Sequence, residues 1–255
     1  MEILTFIIVV ALAFIYEIID SATGQGYGTL STPTLLLIGF NVVYIVPCIL
    51  ISQAIGGFIG GIAHHRIGNY DLRNNHIDRT NIIMLVMIGI IGIFVGIYAL
   101  SKLPSIIINA YIGILIIIIG IIIVIGIKFT YSKIKMFIVS ILACFNKGLT
   151  GGGYGPLATG GQVVTGCGIR NAVGITTIAE APICVTGFTI WCILNHQIPP
   201  IDLLIATCTG AALSPVLGAK LTKSASEILG NKFTKIVGVI ILILGVFTIY
   251  KIFKY

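Results

Sequence analysis

The chain has 255 residues, of which 57% are hydrophobic and only 9% charged, and its mean hydropathy is +1.12. That composition excludes a soluble domain, a disordered chain, a disulfide scaffold and any sizeable catalytic domain outside the bilayer. The net charge of +7 is read as the mark of a cytoplasmic face rather than of a nucleic-acid surface.

Apolar runs such as Ile82 to Leu100 and Ile106 to Ile127 have the length a bilayer requires. The expected class is therefore an all-α polytopic protein of the cell membrane. The N-terminus lacks a basic n-region and a small-residue cleavage pattern, so the run over 3 to 19 is expected to stay as the first membrane helix. A glycine-rich break follows at Thr23-Gly24-Gln25-Gly26-Tyr27-Gly28. Further helices are predicted over 30 to 38, 42 to 63, 82 to 100 and 106 to 127. The second set covers 134 to 146, 156 to 165, 171 to 194, 201 to 219 and 234 to 250, again with a glycine-rich break after the first piece.

Sliding the sequence on itself by 127 residues lays that first break over Thr150-Gly151-Gly152-Gly153-Tyr154-Gly155. The match continues without a gap through Leu30 and Leu157, Thr32 and Thr159, Gly39 and Gly166, Val46 and Val173, and Gly60 and Gly187. The chain thus reads as a duplication, with repeats 1–127 and 128–255 in one membrane-embedded domain. The short pieces after the breaks cannot cross about 30 Å of hydrocarbon at 1.5 Å per residue, so each break is expected to form a re-entrant hairpin. Three crossings then follow in each half, which makes the repeats inverted in topology. On that arrangement eleven of the fifteen basic residues share one face: Arg66, Arg73, Arg79, Lys128, Lys133, Lys135, Arg170, Lys220, Lys223, Lys232 and Lys235. Lys102, Lys251 and Lys254 fall opposite, and both termini lie outside.

Clustered glycines break a helix, and unwound backbone at membrane depth is tolerated where it lines a protein or water-filled cavity. Paired breaks in two inverted halves point to the substrate site of a carrier. The short helices are expected to begin near Thr29 and Pro156, presenting N–H groups that suit an anion. Candidate substrate ligands are Lys147, Gly24, Gln25, Gly26, Tyr27, Thr150, Gly151, Gly152, Gly153, Tyr154 and Thr159, with Thr23 as a further hydroxyl. Lys147 is the basic residue this topology buries, and an intramembrane charge is a functional candidate. Asp20, Glu17 and Glu180 are candidates for carrying protons. The offset pairs Asp20 with Lys147 and Gln53 with Glu180, so duplicated positions have diverged in charge. Which carboxylate partners the lysine stays open.

Other features read more simply. The overlapping GxxxG pairs at Gly56, Gly57, Gly60 and Gly61 offer a packing face for an internal neighbour or for the second subunit of a homodimer. Cys48, Cys144, Cys167, Cys184, Cys192 and Cys208 read as packing residues, with no metal-ligand spacing. His64-His65 is expected to be solvated at the start of the main loop. Pro47, Pro182 and Pro215 are helix-kink candidates. With no HExxH and no nucleophile pair at motif spacing, neither an enzyme nor a cofactor is expected.

At the two breaks the sequence resembles the sulfite exporter family of the TauE/SafE type. The stretches that carry the resemblance are Asp20-Ser21-Ala22-Thr23-Gly24-Gln25-Gly26-Tyr27-Gly28 with Pro33, and Asn146-Lys147-Gly148-Leu149-Thr150-Gly151-Gly152-Gly153-Tyr154-Gly155 with Thr159 and Gly160. The resemblance implies a two-halved permease that exports or exchanges small sulfur-containing anions, such as sulfite or organosulfonates, driven by protons. Gln25 and Tyr27 stand where small residues are expected, which puts the substrate in question. The alternative is a proton-linked cation carrier built on Asp20, Glu17 or Glu180.

Overall fold

The computed structural model describes residues 1–73, 76–126, 133–164 and 169–228, with scattered positions between 235 and 250. Cys167, Lys128, Lys232, Lys251 and Lys254, and the predicted final helix 234 to 250 as a continuous element, lie outside the described residues.

The described elements are α1 (Ile3–Thr23), α2 (Tyr27–Ile38), α3 (Val42–Ile67), α4 (His76–Lys102), α5 (Ser105–Ile125), α6 (Lys133–Thr150), α7 (Tyr154–Val164), α8 (Ile169–Asn195), α9 (Ile201–Leu213) and α10 (Pro215–Ile228). Among the described residues five helical stretches are long and apolar enough to cross a membrane: Ile3–Thr23, Val42–Ile67, Arg79–Lys102, Arg170–Asn195 and Ile201–Ser224. The protein is therefore an all-helical, multi-pass membrane protein. α2 and α7 have 12 and 11 residues, roughly 18 and 16 Å of helix, too short to span.

Two expectations are corrected. The run predicted as one helix over 201 to 219 is divided at Ser214, because Pro215 has no N–H to continue the ladder and instead opens α10 at its first turn. The gap expected between the helices over 42 to 63 and 82 to 100 is narrower, since α3 runs on to Ile67 and α4 starts at His76. α3 ends on the left-handed Gly68, whose lack of a Cβ permits that conformation.

Exposed Ile3, Leu4, Ile7, Met87, Ile91, Phe94, Ile106 and Ile114 form the outer apolar surface expected against lipid. The core lies between the halves, where Tyr27, Ile49, Leu50, Ile93, Ile97, Cys144, Leu149, Tyr154, Ile183 and Trp191 are buried in one cluster. Glycines let the helices approach there. Gly57 meets Ala181, Gly61 meets Ile178 and Gly187 meets Leu50, so α3 and α8 run antiparallel. Gly89, Gly92 and Gly96 of α4 meet Cys144, Ile141, Phe145 and Leu149 of α6, which lies parallel to it. α1 is likewise parallel to α9 and α10, with Gly210 against Val10 and Ala13 and Gly218 against Ile18 and Ser21. Arg170 at the start of α8 reaches Asn69 just beyond α3, and Asn69 reaches Ala219 of α10. Those three basic-rich helix ends therefore gather at one end of the molecule.

Candidate functional site: two crossed glycine breaks and a buried charge cluster

The two breaks share a local geometry position for position. Thr23 Oγ1 is shared between the carbonyls of Ile19 (2.8 Å) and Gln25 (2.7 Å). Its counterpart, Thr150 Oγ1, donates to Asn146 O at 2.8 Å and accepts from Gly152 N at 3.1 Å. Gly24 and Gly151 are left-handed at φ 71° and 76°, and Gly26 and Gly153 also have positive φ. Side chains rarely tolerate that conformation, so the glycines set where α1 and α6 end.

The breaks lie against one another. A Cβ on Gly28 would sit 1.8 Å from Gly151 O, and one on its counterpart Gly155 would sit 2.3 Å from Gly24 O. Only hydrogen fits at either point. Thr32 Oγ1 donates to Thr150 O at 2.7 Å, while its counterpart Thr159 donates to Gly24 O at 2.9 Å. Thr29 Oγ1 accepts from Gly153 N at 3.1 Å. Of the hydroxyls singled out from sequence, Thr159 joins Thr29 and Thr32 in tying the two breaks together, whereas those of Thr23 and Thr150 each close their own break. α2 and α7 begin at Tyr27 and Tyr154, slightly before the expected Thr29 and Pro156.

Beside this crossing sit four buried charge-bearing residues, Lys147, Glu180, Asp20 and Glu17. Lys147 Nζ lies 2.7 Å from Glu180 Oε1, and both side chains are almost fully shielded. The Lys147 ammonium also donates to Gln53 Oε1. Gln53 Nε2 donates onward to Asp20 Oδ2 at 3.2 Å, and Asp20 Oδ1 accepts from Tyr27 N at 3.0 Å. The chain Asp20, Gln53, Lys147, Glu180 therefore joins both offset pairs, 20 with 147 and 53 with 180, in one network across the two halves. Glu17 is buried within electrostatic reach of Asp20, Glu180 and Lys147. It packs against Gly56, where an added Cβ would sit 2.7 Å from its carboxylate, and its Oε2 has no hydrogen-bond partner among the described residues.

The aromatic and amide candidates divide. The Tyr27 hydroxyl lies 2.7 Å from Ser52 Oγ, whereas the buried Tyr154 hydroxyl has no hydrogen-bond partner among the described residues. Gln25 is buried at the break. Lys147, Glu180, Asp20 and both breaks are thus brought together, with Glu17 one layer away on α1.

Sequence reasoning gave Gln53 no place in the cluster, although it bridges Asp20 and Lys147. Its signal was its register with Glu180. His64 is corrected: it is fully buried rather than solvated, with Nε2 2.9 Å from Ser21 O and Nδ1 2.8 Å from Asn69 Nδ2. The partners that bury it come from other helices and from the turn after α3, which a local reading of the doublet does not reveal.

The sequence profile described as Sulfite exporter TauE/SafE matches residues 9–248. The chain is 26% identical over 182 residues to the "Probable membrane transporter protein YtnM" of Bacillus subtilis (strain 168); the match covers 67% of this chain and 58% of that relative's length. No solved structure matches the chain. With the paired glycine breaks in place and the profile running across nearly all of its length, the chain belongs to the sulfite exporter TauE/SafE family.

Proposed function

We propose that the protein is a secondary transporter that exports or exchanges a small sulfur-containing oxyanion, sulfite or an organosulfonate, together with protons by alternating access. The observation that carries this reading is the unequal use of one duplicated position. In the first half the Asp20 carboxylate occupies the N-terminus of α2, accepting the Tyr27 N–H. In the second half the corresponding residue is Lys147, which offers no acceptor to the N-terminus of α7. A helix N-terminus favours negative charge. An anion that enters there meets both the N–H groups of α7 and the Lys147 ammonium, and so takes the place that Asp20 holds in the other half.

Coupling follows from charge balance. Glu17, Asp20 and Glu180 outnumber Lys147 in a buried site, and uncompensated buried carboxylates are costly. Lys147 is also already engaged by Glu180. A proton delivered to Glu180 removes that competitor and frees the ammonium for the substrate, so proton and anion bind together. The antiparallel packing of the offset-related helices α3 and α8 supports inverted repeats that rock about the crossed breaks.

A second reading keeps the same residues. Because carboxylates are in excess and Lys147 is already paired, Asp20, Glu17 or Glu180 would hold a cationic substrate in a proton-linked carrier, with Lys147 as counter-ion only. Counterflow of labelled sulfite into proteoliposomes, with sulfate, thiosulfate, taurine and sulfoacetate as competitors, separates the two. The anion reading predicts saturable exchange that Lys147→Ala abolishes. Folded protein that exchanges no sulfur anion refutes it and favours the cation carrier.

A further inference from the structure

His64 lies at the centre of a directional hydrogen-bond chain that joins four helices at the basic end of the molecule. The Arg170 guanidinium of α8 donates to Asn69 Oδ1 through both Nε and one terminal nitrogen, each at 3.3 Å. That fixes which Asn69 atom is nitrogen. Asn69 Nδ2 then donates to His64 Nδ1 at 2.8 Å and to Ala219 O of α10 at 3.1 Å. On the other side of the ring, His64 Nε2 faces the Ser21 carbonyl of α1 at 2.9 Å, which can only accept. The same carbonyl accepts from Thr222 of α10 at 3.0 Å, and Ser21 Oγ donates to Pro215 O at 2.9 Å.

Each contact assigns a proton. Nε2 carries the imidazole hydrogen and Nδ1 accepts, so the network is satisfied by the neutral ring alone. A second proton, on Nδ1, would point at the Asn69 amide hydrogens. Flipping Asn69 does not relieve this, because its nitrogen would then face Arg170 and its oxygen would face the Ala219 carbonyl. Ser21 follows Asp20 directly, so the chain closes α1 against α10 immediately beside the buried charge cluster.

We infer that the Arg170, Asn69, His64 and Ser21 chain is a gate closing the substrate site at the basic end, held shut only while His64 is neutral. This rests on the carrier reading given above. The other charged and titratable groups around His64 do not offer the second proton an acceptor. Asp20 of α1 is turned to Tyr27 N and Gln53, Arg170 of α8 is a cation, and Lys220 and Lys223 of α10 are exposed. His65 and Arg66 of α3 lie next in sequence but towards the surface. If the closed form accepts only the neutral ring, the open-to-closed ratio rises about tenfold per pH unit below the ordinary histidine value of ~6.5.

Cys184 reports the opening. It is buried, lies one turn beyond Glu180 on α8 and is unpaired. In nanodiscs, mixed-disulfide formation at Cys184 by a water-soluble methanethiosulfonate, which transfers its alkylthio group and releases methanesulfinate, is measured by peptide mass spectrometry at pH ~7.5 and ~5.5. Comparison with His64→Gln cancels the lower thiolate fraction in acid. The expected result is a rate ratio, wild type over His64→Gln, that rises about tenfold on acidification. Asn69→Asp offers a carboxylate to the protonated ring and should reverse the dependence, so that acid closes the gate; this second variant keeps the test intact should His64→Gln fail to fold. A rate ratio that does not change with pH, or an Asn69→Asp protein that opens in acid as wild type does, overturns the gate. Protein that exchanges sulfite yet shows no pH-dependent access to Cys184 refutes the gate alone. Protein with the predicted access but no anion exchange refutes the carrier reading alone.

Discussion

The ammonium of Lys147 and the carboxylate of Glu180 lie 2.7 Å apart inside the molecule, with Gln53 bonded to the same ammonium. Removing one member of a buried pair leaves the other charge uncompensated, which costs about 3–5 kcal/mol, whereas replacing both with apolar groups can be close to neutral. Lys147→Met and Glu180→Met should therefore each lower thermal stability in detergent more than the double variant does. Equal, additive losses would show that the two groups do not act as a pair.

The crossing of the breaks predicts a steep dependence on side-chain size. Gly28→Ala places a Cβ 1.8 Å from the Gly151 carbonyl oxygen, a fixed backbone atom. Gly68→Ala meets no atom within 4 Å and carries only the strain of its φ of 80°, roughly 1 kcal/mol. Gly28→Ala and Gly155→Ala should lose folded, monodisperse protein or drop sharply in melting temperature, while Gly68→Ala should shift by a few degrees. Comparable melting temperatures for all three would show that the two breaks do not touch.

The offset-related threonines give a matched test. Thr32 and Thr159 each donate to a carbonyl of the opposite break, at 2.7 and 2.9 Å. Each valine substitution leaves a buried carbonyl short of a donor, costing about 1–3 kcal/mol. Because both bonds hold the breaks in this conformation, Thr32→Val and Thr159→Val should each shorten its lifetime, read as faster methanethiosulfonate modification of Cys184 than in wild type. Unchanged modification in both variants would mean that these bonds do not hold the breaks together.

On the proposed coupling, one proton carried with a divalent anion moves a net negative charge. An inside-negative potential should therefore drive export, by about 2.3 kcal/mol per charge per 100 mV. Efflux from sulfite-loaded proteoliposomes should accelerate when a potassium diffusion potential makes the interior negative. Efflux indifferent to the potential would mean that charge movement is compensated.

Much of this arrangement was legible in the sequence, and the residues show why the rest was not. The 127-residue offset placed Asp20 opposite Lys147 and Gln53 opposite Glu180, and the glycine content located both breaks. An offset identifies equivalent positions but not contacts between them, so the partner of Lys147 emerged only with the packing of α3, α6 and α8. The division at Ser214 was signalled by Pro215, yet proline alone does not decide between a kink and a break. His64 was misjudged because its neighbours in sequence are polar while its neighbours in space, Ser21 and Asn69, come from a different helix and from the turn after α3. The hydroxyls of the breaks were found by type, but Thr159 bonds across to Gly24 of the opposite break while Thr23 and Thr150 bond within their own, a difference that local spacing does not encode.

The most direct test of the proposed coupling is sulfite affinity as a function of pH for the wild type and for Glu180→Gln, measured by isothermal titration on purified protein. Glutamine imitates the protonated acid and leaves Lys147 available at every pH. Wild-type affinity should strengthen relative to Glu180→Gln as pH falls and converge on it in acid, the comparison cancelling the protonation of sulfite itself. A wild-type curve parallel to that of Glu180→Gln across the whole range would contradict the coupling of proton to anion at this pair.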